Sequence, residues 1–291
     1  MKDRTVGDPR STVVIPANLE NALERMAEED LLPFAGGTDI YPSRVGRVGH
    51  QTAIDIGMLD DLRGIEVGDE VRIGALTTWT EIVRADLPLG LRALRQAARE
   101  VGSVQIQNLG TVAGNLVNAS PAADGVPPLL AADARVELRS VGGTRELALA
   151  DFITGYRATA RRSDELVTAV IVPATSHQRT SSFMKLGSRR YLVISIASVA
   201  AVVAPPSDGR LSEVAIAVGS CSPVARRQPA LEAALVGQPL ERMTEAIGDA
   251  TLDLAPIDDV RASAAYRLDA VRVLVRRAID DSLHSTAEVT A

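Results

Sequence analysis

Pro33-Phe34-Ala35-Gly36-Gly37-Thr38-Asp39 and, in a separate part of the chain, Asn108-Leu109-Gly110-Thr111-Val112-Ala113-Gly114-Asn115 are the stretches on which the reading of this sequence turns. The first places two glycines directly after a short apolar strand, Leu31 to Ala35, where backbone N–H groups can approach an anion with no Cβ in the way. A pyrophosphate fits such a turn. The second again offers small residues and main-chain amides, with the hydroxyl of Thr111 and the side-chain amide of Asn115. Carried by two lobes, the two loops can clamp one extended dinucleotide. Taken singly, each serves equally well as a tight reversal with no ligand. Neither standard phosphate loop is present: no G-x-G-x-x-G follows a strand, and no G-x-x-x-x-G-K-[ST] occurs.

Working outward, the first loop sits in an alternation of strand and helix signals. Ser11 to Ile15 is extended, Asn18 caps a helix through Leu19, Leu23 and Met26, and Thr52 to Ile56 closes a βαβ-like unit near residue 57. Two strands then follow, Arg63 to Val67 and Val71 to Ala75, before helical periodicity from Thr80 to Val83 and from Pro88 to Val101. The second loop lies in a Gly/Asn/Pro-rich passage, Gly102 to Pro128, too long for an idle connection. Strands return at Ala134 to Arg139, Arg145 to Leu149 and Glu165 to Val172, and a second lobe ends near Pro173. Beyond a polar linker, Ser182 to Leu186, Ile194 to Val203 and Leu211 to Val218 read as a three-stranded antiparallel meander. Helices complete the chain at Gln228 to Leu235, Leu240 to Leu252 and Ser263 to Leu283.

Composition narrows the function. The chain has 291 residues, 31 Lys+Arg against 37 Asp+Glu, a net charge of −6 and 46% hydrophobic residues, which describes an ordinary globular protein of about two domains. A net negative chain has no general attraction for nucleic acid, and the pairs Arg161-Arg162, Arg189-Arg190, Arg226-Arg227 and Arg276-Arg277 read as isolated, solvated charges. Cys221 is the single cysteine, so no intrachain disulfide or cysteine-ligated cluster can form, and His50, His177 and His284 show no metal-ligand spacing. No metal site is expected, and any redox metal belongs to another chain. Tyr191 to Ser207, a charge-free and largely apolar stretch, falls short of the ~20 apolar residues of a spanning helix, and no secretory signal is evident, so a cytoplasmic, reducing location is expected. Cys221, flanked by Ser220 and Ser222, reads as a small buried residue and Trp79 as core. Only two of the 31 basic residues are lysine, Lys2 and Lys185, which singles out Lys185 as a place where arginine does not serve.

The order of several segments is more specific than any one of them. Pro33 to Asp39, Ile73-Gly74-Ala75-Leu76-Thr77, Gly110 to Asn115, Ala119-Ser120-Pro121-Ala122-Ala123-Asp124, Pro127-Pro128-Leu129-Leu130-Ala131 and Phe183-Met184-Lys185-Leu186-Gly187-Ser188-Arg189-Arg190 follow one another. As a set they resemble the FAD-binding subunit of the molybdenum hydroxylases, the xanthine dehydrogenase and aerobic carbon monoxide dehydrogenase family, over nearly the whole chain. The resemblance implies an α+β protein: a two-lobed FAD-binding domain of the p-cresol methylhydroxylase type over residues 1–175, with lobes of about 1–57 and 58–175. A C-terminal domain over 176–291 follows, with a three-stranded antiparallel sheet and helices. It implies that Ala35, Gly36, Gly37, Thr38 and Asp39, with Thr111, Gly114 and Asn115, hold FAD, and that Asp124 hydrogen-bonds the cofactor. Lys185 would stand near the flavin and stabilise its reduced, negative form, and Tyr191 lies close behind. Ala113 stands where the family usually has glycine and could loosen one amide contact. No catalytic residue is implied. The implied partners are a large molybdenum-cofactor subunit and a small iron–sulfur subunit, from which electrons reach FAD and then NAD, oxygen or another acceptor. A self-contained flavin oxidase or reductase of the same fold, or a non-catalytic flavin scaffold, are the alternatives.

Overall fold

The computed structural model describes residues 5–6, 13–43 and 52–290; Ser11, Thr12 and His50 lie outside the described residues. The first lobe carries strands β1 (Thr5–Val6), β2 (Val13–Val14), β3 (Leu32–Phe34) and β4 (Ala53–Asp55). Their order is β1-β2-β4-β3, with β4 parallel to both β2 and β3. Helix α1 (Leu19–Glu28) starts where the Asn18 side chain accepts the Asn21 amide, and it buries Leu19, Ala22, Leu23 and Met26, one face at helical spacing. The glycine turn follows β3 and leads into the short α2 (Ile40–Ser43).

The second lobe is an antiparallel sheet with helices. Its strands are β5 (Ile65–Val67), β6 (Val71–Gly74), β7 (Arg135–Ser140), β8 (Gly143–Ala148) and β11 (Leu166–Val172), in the order β5-β6-β11-β7-β8. The central β11 is buried along its whole length, which is why it reads as an unbroken apolar run. Helix α3 (Trp79–Arg84) extends one residue beyond the expected span at each end, and α4 (Arg92–Glu100) falls within its own, preceded by a 3-10 turn at Leu89–Leu91. The passage from Gly102 to Pro128 corrects the expectation of a loop. It forms three short helices, α5 (Val104–Leu109), α6 (Val112–Asn118) and α7 (Val126–Ala131). Ser103 caps the first, Thr111 caps the second, and prolines occupy the first turn of the third, where their missing N–H costs nothing. A short α8 (Leu149–Phe152) leads to a hairpin of β9 (Ile153–Gly155) and β10 (Ala158–Thr159).

The last third builds a sheet of β12 (Thr180–Leu186), β13 (Ala197–Val203), β14 (Val214–Gly219) and β15 (Arg226–Arg227), antiparallel throughout and in sequence order. The expected three-stranded meander therefore has a fourth, two-residue edge strand. Helices α9 (Pro229–Leu235), α10 (Met243–Asp249) and α11 (Ala264–Thr290) pack on it. Both faces of this sheet are covered. Phe183, Ala200, Val202, Ala215 and Ala217 join the core of the preceding lobes, while Ala197, Val199, Ala201, Val203, Val214, Ile216 and Val218 face α9, α10 and α11. Strand alternation thus sends successive residues into two different cores.

Polar contacts close the same junction. Asp281 on α11 accepts from Arg92 at 2.6 Å, from Ser182 at 2.7 Å and from Gln96 at 3.4 Å. Gln96 in turn accepts the Phe183 amide at 2.7 Å, and Ser181 accepts the Ala93 amide at 2.8 Å.

Candidate functional site

The two glycine loops meet in space. A Cβ on Gly36 would stand 1.9 Å from the Leu109 carbonyl oxygen, so the backbones of the two segments touch there and only glycine fits. Gly37 has φ +66°, the left-handed conformation that favours glycine, and the Tyr41 ring occupies the space a Cβ would need. The second loop is pinned by main-chain bonds: the Trp79 amide donates to the Gly110 carbonyl at 3.2 Å, and Thr78 and Thr111 form a β-bridge. Between the loops runs a cleft of about 280 Å³, near the lower end of the range of ligand sites. Its floor and walls are largely apolar, from Leu32, Ile56, Leu76, Leu166 and Val167 among others.

Eight of the ten expected contact residues line this cleft: Ala35, Gly36, Gly37, Thr38, Asp39, Thr111, Gly114 and Asn115. The two loops do not contribute alike. In the first, the amides of Gly36, Gly37, Thr38, Asp39 and Ile40 have no acceptor among the described residues. In the second, every amide of the first turn of α6 is used within the fold. Val112 donates to the Thr77 carbonyl at 2.9 Å, Ala113 to Ala75 at 3.2 Å, Gly114 to the Thr111 hydroxyl oxygen at 3.0 Å, and Asn115 to the Thr111 carbonyl at 3.1 Å. The main-chain donors left open are therefore those of the first loop. The methyl of Ala113 costs no amide contact, since that amide already bonds Ala75.

What the second segment offers instead is a side chain. The Asn115 Oδ1 is buried and without a hydrogen-bond partner, a costly state in a folded protein unless a ligand donor completes it. Together with five open amides and a backbone contact that tolerates no Cβ, this orphan acceptor is the mark of a built site, and it fits an extended dinucleotide with hydroxyls near its phosphates.

Asp124 and Lys185 are brought together, but with each other. Lys185 Nζ donates to Asp124 at 2.7 Å and to the Glu100 carbonyl at 3.3 Å, and Ser195 donates to the other Asp124 oxygen at 2.6 Å. Both side chains are 8% exposed, and neither forms the cleft wall. Burial pushes the Asp124 carboxyl above the usual carboxylate range, although Lys185 and Ser195 pull it down. The pair nevertheless abuts the cleft: the next residue, Gly125, sits so close to Asn115 that a Cβ would lie 2.9 Å from its Oδ1.

Arg161 is the residue that sequence reading missed. Its pair with Arg162 reads as solvated charge, yet only Arg162 is fully exposed, and Arg161 is half-buried on the cleft wall. The only signal in the sequence is its place four residues before the buried Glu165. Trp79, 1% exposed, is core and also lines the cleft, whereas Tyr191 is exposed under Arg190, whose guanidinium lies 5.1 Å from the ring centroid. Cys221 is buried, and burial pushes its thiol up to about 11. Among the described residues no group of three or more His, Cys, Asp or Glu side chains is placed to hold a metal ion, and no helix is long and apolar enough to cross a membrane.

Residues 9–175 match the family described as the FAD binding domain in molybdopterin dehydrogenase, and residues 182–282 match the CO dehydrogenase flavoprotein C-terminal domain. The chain is 34% identical over 282 residues to the nicotinate dehydrogenase FAD-subunit of Eubacterium barkeri, covering 92% of this chain and 94% of that one. It is 33% identical over 270 residues to the nicotine 6-hydroxylase medium subunit of Paenarthrobacter nicotinovorans, covering 91% and 94%. Among solved structures, reconstituted CO dehydrogenase from Oligotropha carboxidovorans superimposes with a TM-score of 0.87 at 27% identity, over 96% of this chain and 98% of that one.

Proposed function

This chain belongs to the FAD-binding subunits of the molybdenum hydroxylases, and on that premise we propose that it is the stage at which electrons leave such a complex. The redox chemistry is supplied by FAD when it is bound. The chain's own residues bind, orient and shield. The open amides of Gly36 to Ile40 face the pyrophosphate, the orphan Asn115 oxygen takes a cofactor hydroxyl, and the apolar walls exclude water from the rest. Asp124 and Lys185 stand behind Asn115 and set the field at the flavin end. Lys185 does so as half of an ion pair rather than as a free cation, because its ammonium is already bonded to Asp124.

The observation that carries the reading is the row of unsatisfied amides opposite a buried, unsatisfied Asn115. The relatives, named as FAD or medium subunits, support partners in the form of a large chain holding the molybdenum cofactor and a small chain holding iron–sulfur clusters, and the complex is proposed to work in the cytoplasm. The lone buried Cys221 supports this division, since the chain has too few thiols to ligate a cluster. The final acceptor is NAD, oxygen or another oxidant.

The test is the visible spectrum of the purified chain with chromatographic identification of flavin released by heat. FAD is expected, with molybdenum and iron–sulfur chains co-purifying from the native source. A colourless protein that takes up no added FAD overturns the cofactor reading, and an active, partner-free oxidase overturns the subunit reading.

A further inference from the structure

Arg161 has an anchored half and a free half. Its Nη1 donates to the carbonyls of Arg162 at 2.9 Å, Ser163 at 3.3 Å and Glu165 at 2.6 Å, which fixes the guanidinium plane. Its Nε and Nη2 make no hydrogen bond among the described residues, and no described carboxylate forms an ion pair with it. The Glu165 carboxylate is taken by Arg145 at 2.6 Å and by the Arg162 amide at 2.8 Å. Burial pulls the guanidinium below its usual value, and Glu165, Asp164 and Asp30 oppose this only through their field, without an ion-pair contact. A half-buried cation with one edge turned to a ligand-sized cleft and no counter-charge in contact is waiting for a partner.

The layout of the cleft says which part of a ligand that is. Asp30, whose field reaches Arg161, lies just before β3, and the open amides lie just after it. From Leu32 to Gly36 the extended chain covers roughly 13 Å at about 3.3 Å per residue. Between them the wall is apolar, with Leu32, Leu166 and Val167. Asn115, for its part, lies against Gly125, next in the chain to the Asp124–Lys185 pair. A dinucleotide whose pyrophosphate sits on the amides sends one arm each way. With the flavin arm on the Asn115 side, the remaining arm, ribose and adenine, lies along the apolar wall toward Arg161.

We propose that Arg161 holds the adenosine end of the bound FAD, its fixed plane meeting the adenine ring. This rests on the FAD reading and adds to it a residue that discriminates FAD from shorter flavins. An anchored guanidinium stacks on a flat heteroaromatic ring or donates to its ring nitrogens, and a lysine ammonium does neither as well.

The experiment is a titration of the full chain, stripped of flavin, with FAD, FMN and riboflavin, followed by flavin fluorescence. Wild type, Arg161→Gln, Arg161→Lys and the exposed-neighbour control Arg162→Ala are compared. Both Arg161 variants are expected to bind FAD about tenfold more weakly, with FMN and riboflavin changed less than about twofold and the control unchanged. In the wild type, ADP should compete with FAD, and in Arg161→Gln the inhibition constant of ADP should rise about tenfold as well. FAD affinity unaltered in both variants, or all three flavins weakened alike, overturns the proposal. Wild-type chain that binds no flavin overturns the FAD reading itself.

Discussion

A methyl group on Gly36 has nowhere to go, because its position is already held by the Leu109 carbonyl oxygen, and main chain cannot swing aside as a side chain can. Gly36→Ala is therefore expected to separate the two loops, at about 1–3 kcal/mol in a urea melt and with loss of FAD binding. Gly248, within α10, faces open space, and Gly248→Ala should stabilise by about 0.5–1 kcal/mol with flavin content unchanged. The Cys221 thiol, buried and pushed up to about 11, should resist alkylation at pH 8 until the protein is unfolded. At this scale much of the site was legible: glycines after a strand and a Thr before a helix announce themselves by residue type. Arg161 did not, because arginine is the ordinary cation of this chain and its place on one cleft wall with Leu32 joins segments that no local pattern connects. Lys185 stood out by rarity, but its engagement with Asp124 joins residues far apart in sequence.

Among the elements, α6 shows how a helix start can look like an anion site and not be one. Its capping threonine and its neighbours Ala75 and Thr77 take all four leading amides. The sequence pattern that suggests a phosphate loop is the same pattern that caps a helix, so the two roles separate only when acceptors are located. The sheet beneath carries its own titration. Glu137 on β7 takes two bonds from Arg72, at 2.7 and 2.9 Å, and one from Thr168, and these hold its carboxyl below the usual range against the opposing effect of burial. Glu165, bonded by Arg145, is lowered in the same way. For a carboxylate depressed in the folded state, the stabilisation is complete above the unfolded pKa of about 4.3 and is lost as pH falls through the lower folded value. The urea midpoint should thus be level from pH 7 to 5 and fall below about pH 4, and Glu137→Gln should be less stable at neutral pH with a shallower acid decline. The longer strands were readable from their sequence, whereas β1, β9, β10 and β15, of two or three residues each, were not. The three helices between Gly102 and Pro128 were not, because glycine and proline counts obscure caps that lie only a turn apart.

Taken whole, the molecule has no clean seam before its last third. A sheet whose alternate residues enter two cores cannot lose one partner without exposing apolar surface on the face left behind. Heating or urea should therefore unfold the chain in one transition seen alike by fluorescence and circular dichroism. Asp281→Ala, which unpairs Arg92, Gln96 and Ser182, should lower stability by about 1–2 kcal/mol without splitting that transition. The same junction has a meaning in time. Arg92 is bonded to a carboxylate 189 positions later, on a helix made well after both glycine loops. Until that helix emerges, the nascent lobes carry both glycine loops while the far face of β13 and β14 lacks its apolar cover. Messages cut short upstream of α11 would release chains fit for chaperones and proteases rather than for cofactor loading.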